Sequence, residues 1–264
     1  MPQRRASAPA RLPLRRRSDI LSLVEQNGQA SVAELSLMFS ASDDTIRRDL
    51  DALAAQGKLK RAHGGAISLA DESQQHEPIV NRYQANVEAK ERIARQAAAL
   101  VGDDETLFIN GGTTTLGVAK ELALKPRLTV LTNNLLIPAL ADKTVTWDLY
   151  VLGGRYHSGS QVTTRTEGFS LLTTVTTDTA IIGVGGVSPD SGFTVSLFED
   201  AAAIRPMVSQ ASRVIIVADS SKFGRDNLVP ISVQDKPTHL LTDKYPGDEI
   251  ADWLLANSIE LIVA

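Results

Sequence analysis

Three short amphipathic patterns open the chain. Ile20, Leu21, Leu23 and Val24 form the apolar stripe of a first helix, which stops near Asn27-Gly28, a helix-ending pair. Ser31-Val32-Ala33-Glu34 starts a second helix with a capping box, in which Ser31 caps and Glu34 reaches back. It runs through Leu35 and Met38 to Phe39. After the break at Ser40-Ala41, Ser42 is placed to cap a third helix from Asp43 to about Gln56. Ile46, Leu50 and Leu53 recur there at i, i+4 and i+7, so they share the buried face. Asp44, Arg48, Asp51 and Ala55 lie opposite, flanked by Thr45 and Arg47. Gly57 ends the helix, and residues 58–67 read as a basic two-stranded hairpin, a wing.

Residues 69–85 are polar, with Glu77-Pro78 at their centre, and read as a linker. A helix follows with Ile93, Ala94, Ala97, Ala98 and Val101 on its apolar side. Apolar runs at 106–110, 128–132, 149–152, 180–184, 214–218, 239–242 and 259–263 then alternate with helical stretches or loops. Such alternation predicts a mostly parallel sheet covered on both faces. The expected fold class is therefore α/β: an N-terminal all-α winged helix-turn-helix over 15–68, then a larger α/β domain over 86–264. Residues 1–14 are expected to be a basic disordered tail.

Composition narrows the function. A chain of 264 residues that is 43% hydrophobic suits two globular domains. The absence of cysteine excludes disulfides, a thiolate zinc site and a cysteine nucleophile, and the four scattered histidines make no metal-binding spacing. Neither metal nor cofactor is expected. No apolar run approaches the roughly 18 residues of a membrane span, and the arginine-rich start has no apolar core of a secretory signal, so a cytoplasmic protein is expected. The net charge of −4 hides an asymmetry. Through Gly65 there are 11 Lys/Arg against 7 Asp/Glu, and 16 against 24 thereafter. A basic first quarter suggests a nucleic-acid-facing piece, though a solvated tail gives the same balance.

Two helices joined by a tight turn, the second presenting arginines outward, match docking into a DNA major groove. Arginine suits guanine or phosphate because its fork donates two parallel hydrogen bonds. The DNA-contacting candidates are Ser42, Thr45, Arg47 and Arg48 on the helix, and Lys58, Lys60, Arg61 and His63 on the wing. A plainer reading remains for Arg48, an exposed ion pair with Asp44 four residues before it.

In parallel sheets, ligands sit at the carboxyl ends of the strands. There this chain places Gly111, Gly112, Thr113, Thr114 and Thr115, which open a helix and favour an anion at its positive end. Asn133 and Arg155 follow the next two strands. Asp219 and Lys222 lie in a later turn, the first able to accept from sugar hydroxyls and the second to pair with phosphate. Neither a Walker loop nor a dinucleotide fingerprint is present.

Several of these strings resemble the DeoR family of bacterial regulators. They are Ser31-Val32-Ala33-Glu34-Leu35, Thr45-Ile46-Arg47-Arg48-Asp49-Leu50 and the wing from Gly57 to Ala66. Later come Glu88 to Ala94, Gly111 to Thr115, Thr132-Asn133, Gly153-Gly154 and Asp219 to Gly224, so the likeness spans nearly the whole chain. The resemblance implies a DNA-binding helix-turn-helix between Ala30 and Asp49. It also implies a second domain, similar in fold to sugar-phosphate isomerases and CoA transferases, that senses phosphorylated sugars. By the same resemblance Lys90, Asp219 and Lys222 become effector-site candidates, although Lys90 also reads as a solvated helix charge. The chain departs from the family pattern at the acidic pair Asp43-Asp44, at Thr163 where a glycine is usual, and at Ile204 where a lysine is usual.

The resulting expectation is a repressor, not an enzyme, that binds double-stranded operator DNA as a homo-oligomer under control of a phosphorylated sugar or polyol. Two alternatives stand beside it. One is a sugar-phosphate isomerase-like enzyme with a DNA-binding appendage, using Glu199, Asp200 or Asp219 as base. The other is a DNA-binding architectural protein with no small ligand.

Overall fold

The structure, a computed structural model, describes residues 13–27, 29–62, 64–68, 79–140, 147–164, 174–231 and 237–264. Residues 1–12 of the tail expected over 1–14, the wing residue His63 and most of the expected linker lie outside the described residues, while Pro13 and Leu14 are helical. The chain divides into two compact units, Met1–Gln75 and His76–Ala264.

The first unit packs α1 (Pro13–Asn27), α2 (Val32–Phe39) and α3 (Asp43–Ala55) around a small apolar core. Ile20 and Val24 from α1, Leu35 from α2, and Ile46 and Leu50 from α3 are all buried there. Ser31 caps α2 and forms the full capping box with Glu34. Ser42 caps α3 by accepting from the Thr45 N–H at 3.3 Å. The turn between them is locked twice. Ser40 adopts a left-handed φ of 50°, and Ser36 donates its hydroxyl to Asp43 at 2.7 Å. Asp43, acidic where the family pattern is not, thus ties the two helices together.

The wing has one more strand than the hairpin expected from sequence. β1 (Gln29–Ser31) pairs antiparallel with β3 (Gly65–Ser68), which pairs on its other side with β2 (Leu59–Ala62). Three residues before a capped helix carry too little pattern to read as a strand. They form one because β3 offers its free edge.

In the second unit, α4 (Ile79–Gln84) and α5 (Val87–Leu100) precede β4 (Thr106–Ile109), α6 (Thr113–Leu122), β5 (Thr129–Thr132) and β6 (Asp148–Val151). Then come the hairpin β7 (Arg155–His157) and β8 (Val162–Thr164), β9 (Thr177–Gly183), β10 (Gly186–Ser188) and β11 (Gly192–Val195). The chain closes with α7 (Phe198–Gln210), β12 (Ala211–Val217), β13 (Val229–Pro230), β14 (His239–Thr242), α8 (Asp248–Ala256) and β15 (Glu260–Val263). Helix α4 corrects the linker expected over 69–85, because residues 79–84 are helical and Ile79 is buried.

Seven strands form one sheet in the order β15-β14-β12-β9-β4-β5-β6, and every pairing in it is parallel. Successive side chains of a strand point to opposite faces, and both faces here are apolar. Phe108, Ile182 and Ile216 pack under α7 and α8, while Leu107, Ile181 and Ile215 pack under α5 and α6. Strands buried on both sides read as unbroken apolar runs, which is why the five inner strands stand out in the sequence, while the edge strands β6 and β15 are partly exposed. The order reverses between β4 and β9. A crevice opens at such a switch point, outside the carboxyl ends of the strands.

Candidate DNA-reading surface and ligand cleft

On α3, Arg47 and Arg48 are both exposed, as expected, but their surroundings differ. Arg47 lies 3.3 Å from Asp44 and 3.8 Å from Asp43. The pairing weighed for Arg48 therefore goes to Arg47, and Arg48 has no ion pair among the described residues. Ser42 and Thr45 share a hydroxyl contact of 2.9 Å at the helix start. On the wing Lys58 is exposed and Lys60 half-buried. Arg61 is tied into the unit: it bonds Asp51 at 2.7 Å and donates to the Gly65 carbonyl at 2.6 Å, fixing the wing against α3.

Sequence inspection missed Asp49. It is 2% exposed on the inner side of α3, bonded to Arg16 and Arg17 of α1. The signal was present in the spacing: position 49 lies three residues after Ile46 and four before Leu53, on the same face of the helix.

The second unit holds a cleft of about 330 Å³ at the switch point. Its floor is made of strand ends: Asn110 and Gly111 after β4, Gly183 to Gly185 after β9, and Ala218 and Asp219 after β12. Asn110 works as an extra rung between two strands. It donates to the Gly183 carbonyl at 3.0 Å and accepts from the Gly183 N–H at 2.8 Å. Gly111 must lack a side chain, because a Cβ there would lie 2.1 Å from Val162. The close approach leaves Gly112, Thr113 and Thr114 facing the cleft at the start of α6.

Most effector candidates converge. Lys90, Gly111 to Thr114, Asn133, Asp219 and Lys222 all line this cleft. Two do not. Thr115 is fully buried and donates to the Asn110 carbonyl at 2.8 Å, a structural bond. Arg155 is exposed on β7, away from the lining. Asn133 is committed at both ends, accepting from Gly111 N–H at 2.9 Å and donating to the Thr163 carbonyl at 2.8 Å. Thr163, at the position usually glycine, helps brace that wall through its hydroxyl bond to Leu152.

The cleft also gathers Arg82, Asn86, Ser160, Asp200, Ile204 and Arg225; none was an effector-site candidate from sequence, although Asp200 was a candidate base and Ile204 a departure from the family pattern. Four cations thus face two carboxylates, Asp200 and Asp219. Burial pushes Asp219 up, but bonds from Ser221 and the nearby Lys222 and Lys90 outweigh it and hold the carboxyl below the usual range. Asp200 goes the other way. Burial pushes it up to about 6, only partly offset by His157 and Arg82, with neighbouring Glu199 adding to the rise. Ile204 stands on the same helix one turn later, buried, where the family pattern has a lysine. Ser160 is buried with no hydrogen-bond partner for its hydroxyl.

Contacts from the cleft run into the start of the unit. Lys90 donates to the carbonyls of Arg82 and, at 2.7 Å, Ala85. Asn86, at a left-handed φ of 52°, donates to Asp219 at 2.8 Å. The Ile79 N–H bonds the Gly159 carbonyl at 3.1 Å, next to Ser160.

Comparison with known proteins decides the family. Residues 16–72 match the DeoR-like helix-turn-helix domain, and residues 85–244 match the DeoR C terminal sensor domain. The chain belongs to the DeoR family. The HTH-type transcriptional repressor GlcR of Bacillus subtilis is 32% identical to it over 92% of this chain and 93% of its own. The glycerol-3-phosphate regulon repressor of Escherichia coli is 31% identical over 93% and 97%. Among solved structures, ribose 5-phosphate isomerase A from Methanocaldococcus jannaschii matches 53% of this chain and 55% of its own, at 16% identity and a TM-score of 0.39. This DeoR-family chain is a DNA-binding transcriptional regulator of two parts, helix-turn-helix and sensor. Among its described residues no helix is long and apolar enough to cross a membrane, and no cluster of acidic or histidine side chains suits a metal.

Proposed function

We propose that this regulator is a repressor whose sensor cleft binds a phosphorylated sugar or polyol, and that binding changes its affinity for operator DNA. The observation that carries the reading is the convergence of Arg82, Lys90, Lys222 and Arg225 with the N-terminus of α6 on one cleft. An ammonium and a positive helix end acting on one dianion make phosphate the main anchor. Asp219 and Asp200 then supply acceptors for hydroxyl groups. Relatives named as repressors, one of a glycerol-3-phosphate regulon, support both the sign of control and the ligand class.

The coupling route follows the chain. Helix α4 is the first described element after the DNA-reading unit; Lys90 holds its last turn through the Arg82 and Ala85 carbonyls, and Asp219 holds Asn86 just beyond it. A ligand that takes over these two side chains loosens α4 and Asn86, and so alters what the DNA-reading unit feels. A single winged module makes few contacts, so the protein acts as a homo-oligomer on repeated half-sites.

Calorimetry of the full chain against glycerol 3-phosphate, hexose phosphates and their parent polyols tests the site, with Lys222→Ala as control. Binding that needs the phosphate and weakens at least tenfold in the variant is expected. A ligand that shifts DNA affinity yet binds the variant unchanged would place the site elsewhere. Because an acid near pH 6 also suits a general base, turnover of the same panel is measured, and none is expected.

A further inference from the structure

The carboxylate of Asp49 lies within the apolar core of the DNA-reading unit, beside Ile46, Leu50 and Leu53. A charge there survives only if paired and hydrogen-bonded. Its partners come from α1: Arg16 Nε lies 2.6 Å from Oδ2, and Arg17 Nε lies 2.7 Å from Oδ1. One guanidinium, held bidentately, would neutralise this carboxylate. The second exceeds what burial requires.

The mode of binding is informative too. Each arginine gives Asp49 its Nε, and neither makes another hydrogen bond among the described residues. A guanidinium has five N–H donors, so both terminal amino groups of each remain available. None of those nitrogens is a buried atom lacking a partner, so they reach solvent. Arg17 is the more open, with 31% of its side chain exposed against 13% for Arg16. The triad carries one net positive charge and is anchored on the residue next to Arg48, which faces outward from the same helix.

We propose that Arg16 and Arg17 are DNA-contacting residues that grip backbone phosphates beside the groove read by α3, with Asp49 as their positioning residue. A fork fixed at Nε loses little side-chain freedom when its terminal groups meet a phosphate. Phosphate contacts set the register of a protein on the duplex, and base contacts read the sequence. Asp49 makes one rigid piece of the two jobs. The helix that carries the base-reading arginine also holds the backbone-gripping pair.

Phosphate contacts act on any sequence, so a fluorescein-labelled random-sequence duplex serves as probe for the full chain. Anisotropy titrations between roughly 50 and 200 mM salt give the slope of log affinity against log salt. Arg17→Ala is expected to reduce the slope by about 1, and Arg16→Ala with Arg17→Ala by about 2. Arg17→Lys separates the proposal from a purely structural clamp. Its single ammonium can satisfy Asp49 but then has no fork for the phosphate, so the slope drops while the melting temperature holds. In a structural clamp the lysine restores both. Asp49→Asn gives an opposed sign: removing a negative charge near DNA should raise affinity by simple electrostatics, whereas loss of positioning lowers it. A wild-type slope in folded Arg17→Ala, or in Arg17→Lys should the alanine variants unfold, overturns the proposal, as does tighter binding by folded Asp49→Asn.

Discussion

Replacing Asp200 with asparagine should make the sensor unit more stable above pH 7 while weakening its hold on a polyol. Asp200 keeps some accessible surface, but the cleft walls enclose it and burial raises its pKa from 3.8 to about 6. A rise of roughly two units corresponds to about 3 kcal/mol by which the ionised form is disfavoured in the folded protein. The sign follows from proton binding. Between pH 4 and 6 the native state holds this proton more tightly than the unfolded chain, so stability falls as pH climbs through that window and levels off above it. Asparagine keeps the shape and has no charge to desolvate, but it gives up the attraction to His157 and Arg82. The pKa of about 6 already sets that attraction against burial, so a gain of about 2–3 kcal/mol is expected at pH 8, with almost none at pH 4. For a unit of this size that is roughly 4–8 °C in melting temperature. Scanning calorimetry of the full chain at several pH values reads it directly. A variant no more stable than wild type at pH 8, or stabilised equally at pH 4 and 8, would refute the reasoning.

The DNA-reading surface gives two further expectations. Arg48→Ala should cost about 1–3 kcal/mol against the operator and relax preference at one base pair, whereas Arg47→Ala should lower affinity evenly and flatten the salt dependence, because it leaves Asp43 and Asp44 unbalanced near phosphate. Gel-shift titrations with operator and scrambled duplexes distinguish the two, and wild-type binding by the double variant would remove α3 as the recognition helix. Ser31→Ala deletes the acceptor for the Glu34 N–H and half of the capping box, so it should destabilise the first unit by about 1 kcal/mol in urea unfolding. A change of a few tenths would mean that pairing of β1 with β3 already fixes the start of α2.

What the sequence makes legible depends on how much burial each element needs. The five inner strands of the parallel sheet are largely buried, so each had to be an apolar run, whereas the edge strands β6 and β15 keep exposed positions; the turns after β4, β5 and β12 had to be small or polar to leave a cleft. In the first unit α2 and α3 announce themselves by their caps, and α1 by its apolar stripe. Helix α4 stays hidden because only Ile79 of its six residues is buried, too few to show a period. The antiparallel pieces β7 with β8, and β10 with β11 and β13, are two to four residues long, and their partners select them rather than their own pattern. In the cleft, motif reading found the residues that follow strands, Gly111 to Thr114, Asp219 and Lys222. It did not make site candidates of Arg82, which belongs to a string resembling the family's second domain, or of Ser160; they reach the same space from a short helix and a hairpin turn that only tertiary packing brings there.

Asp49, which the sequence did not single out, and Asp200, which it offered only as a candidate base, carry the most information. Both are carboxylates withdrawn from water, a position that costs stability and that a core built only for stability would avoid. Their surroundings differ in one respect. Asp49 receives two arginines, more positive charge than it needs, which suits a surface whose pose must be fixed before DNA arrives. Asp200 receives too little, and its carboxyl remains near 6 because His157 and Arg82 only partly offset its burial. An under-compensated acid in a cleft is improved by whatever next donates to it, and a ligand hydroxyl is such a donor. Charge surplus at one withdrawn acid and deficit at the other therefore fit the two tasks proposed above: a rigid grip on a polyanion, and a site that its ligand completes.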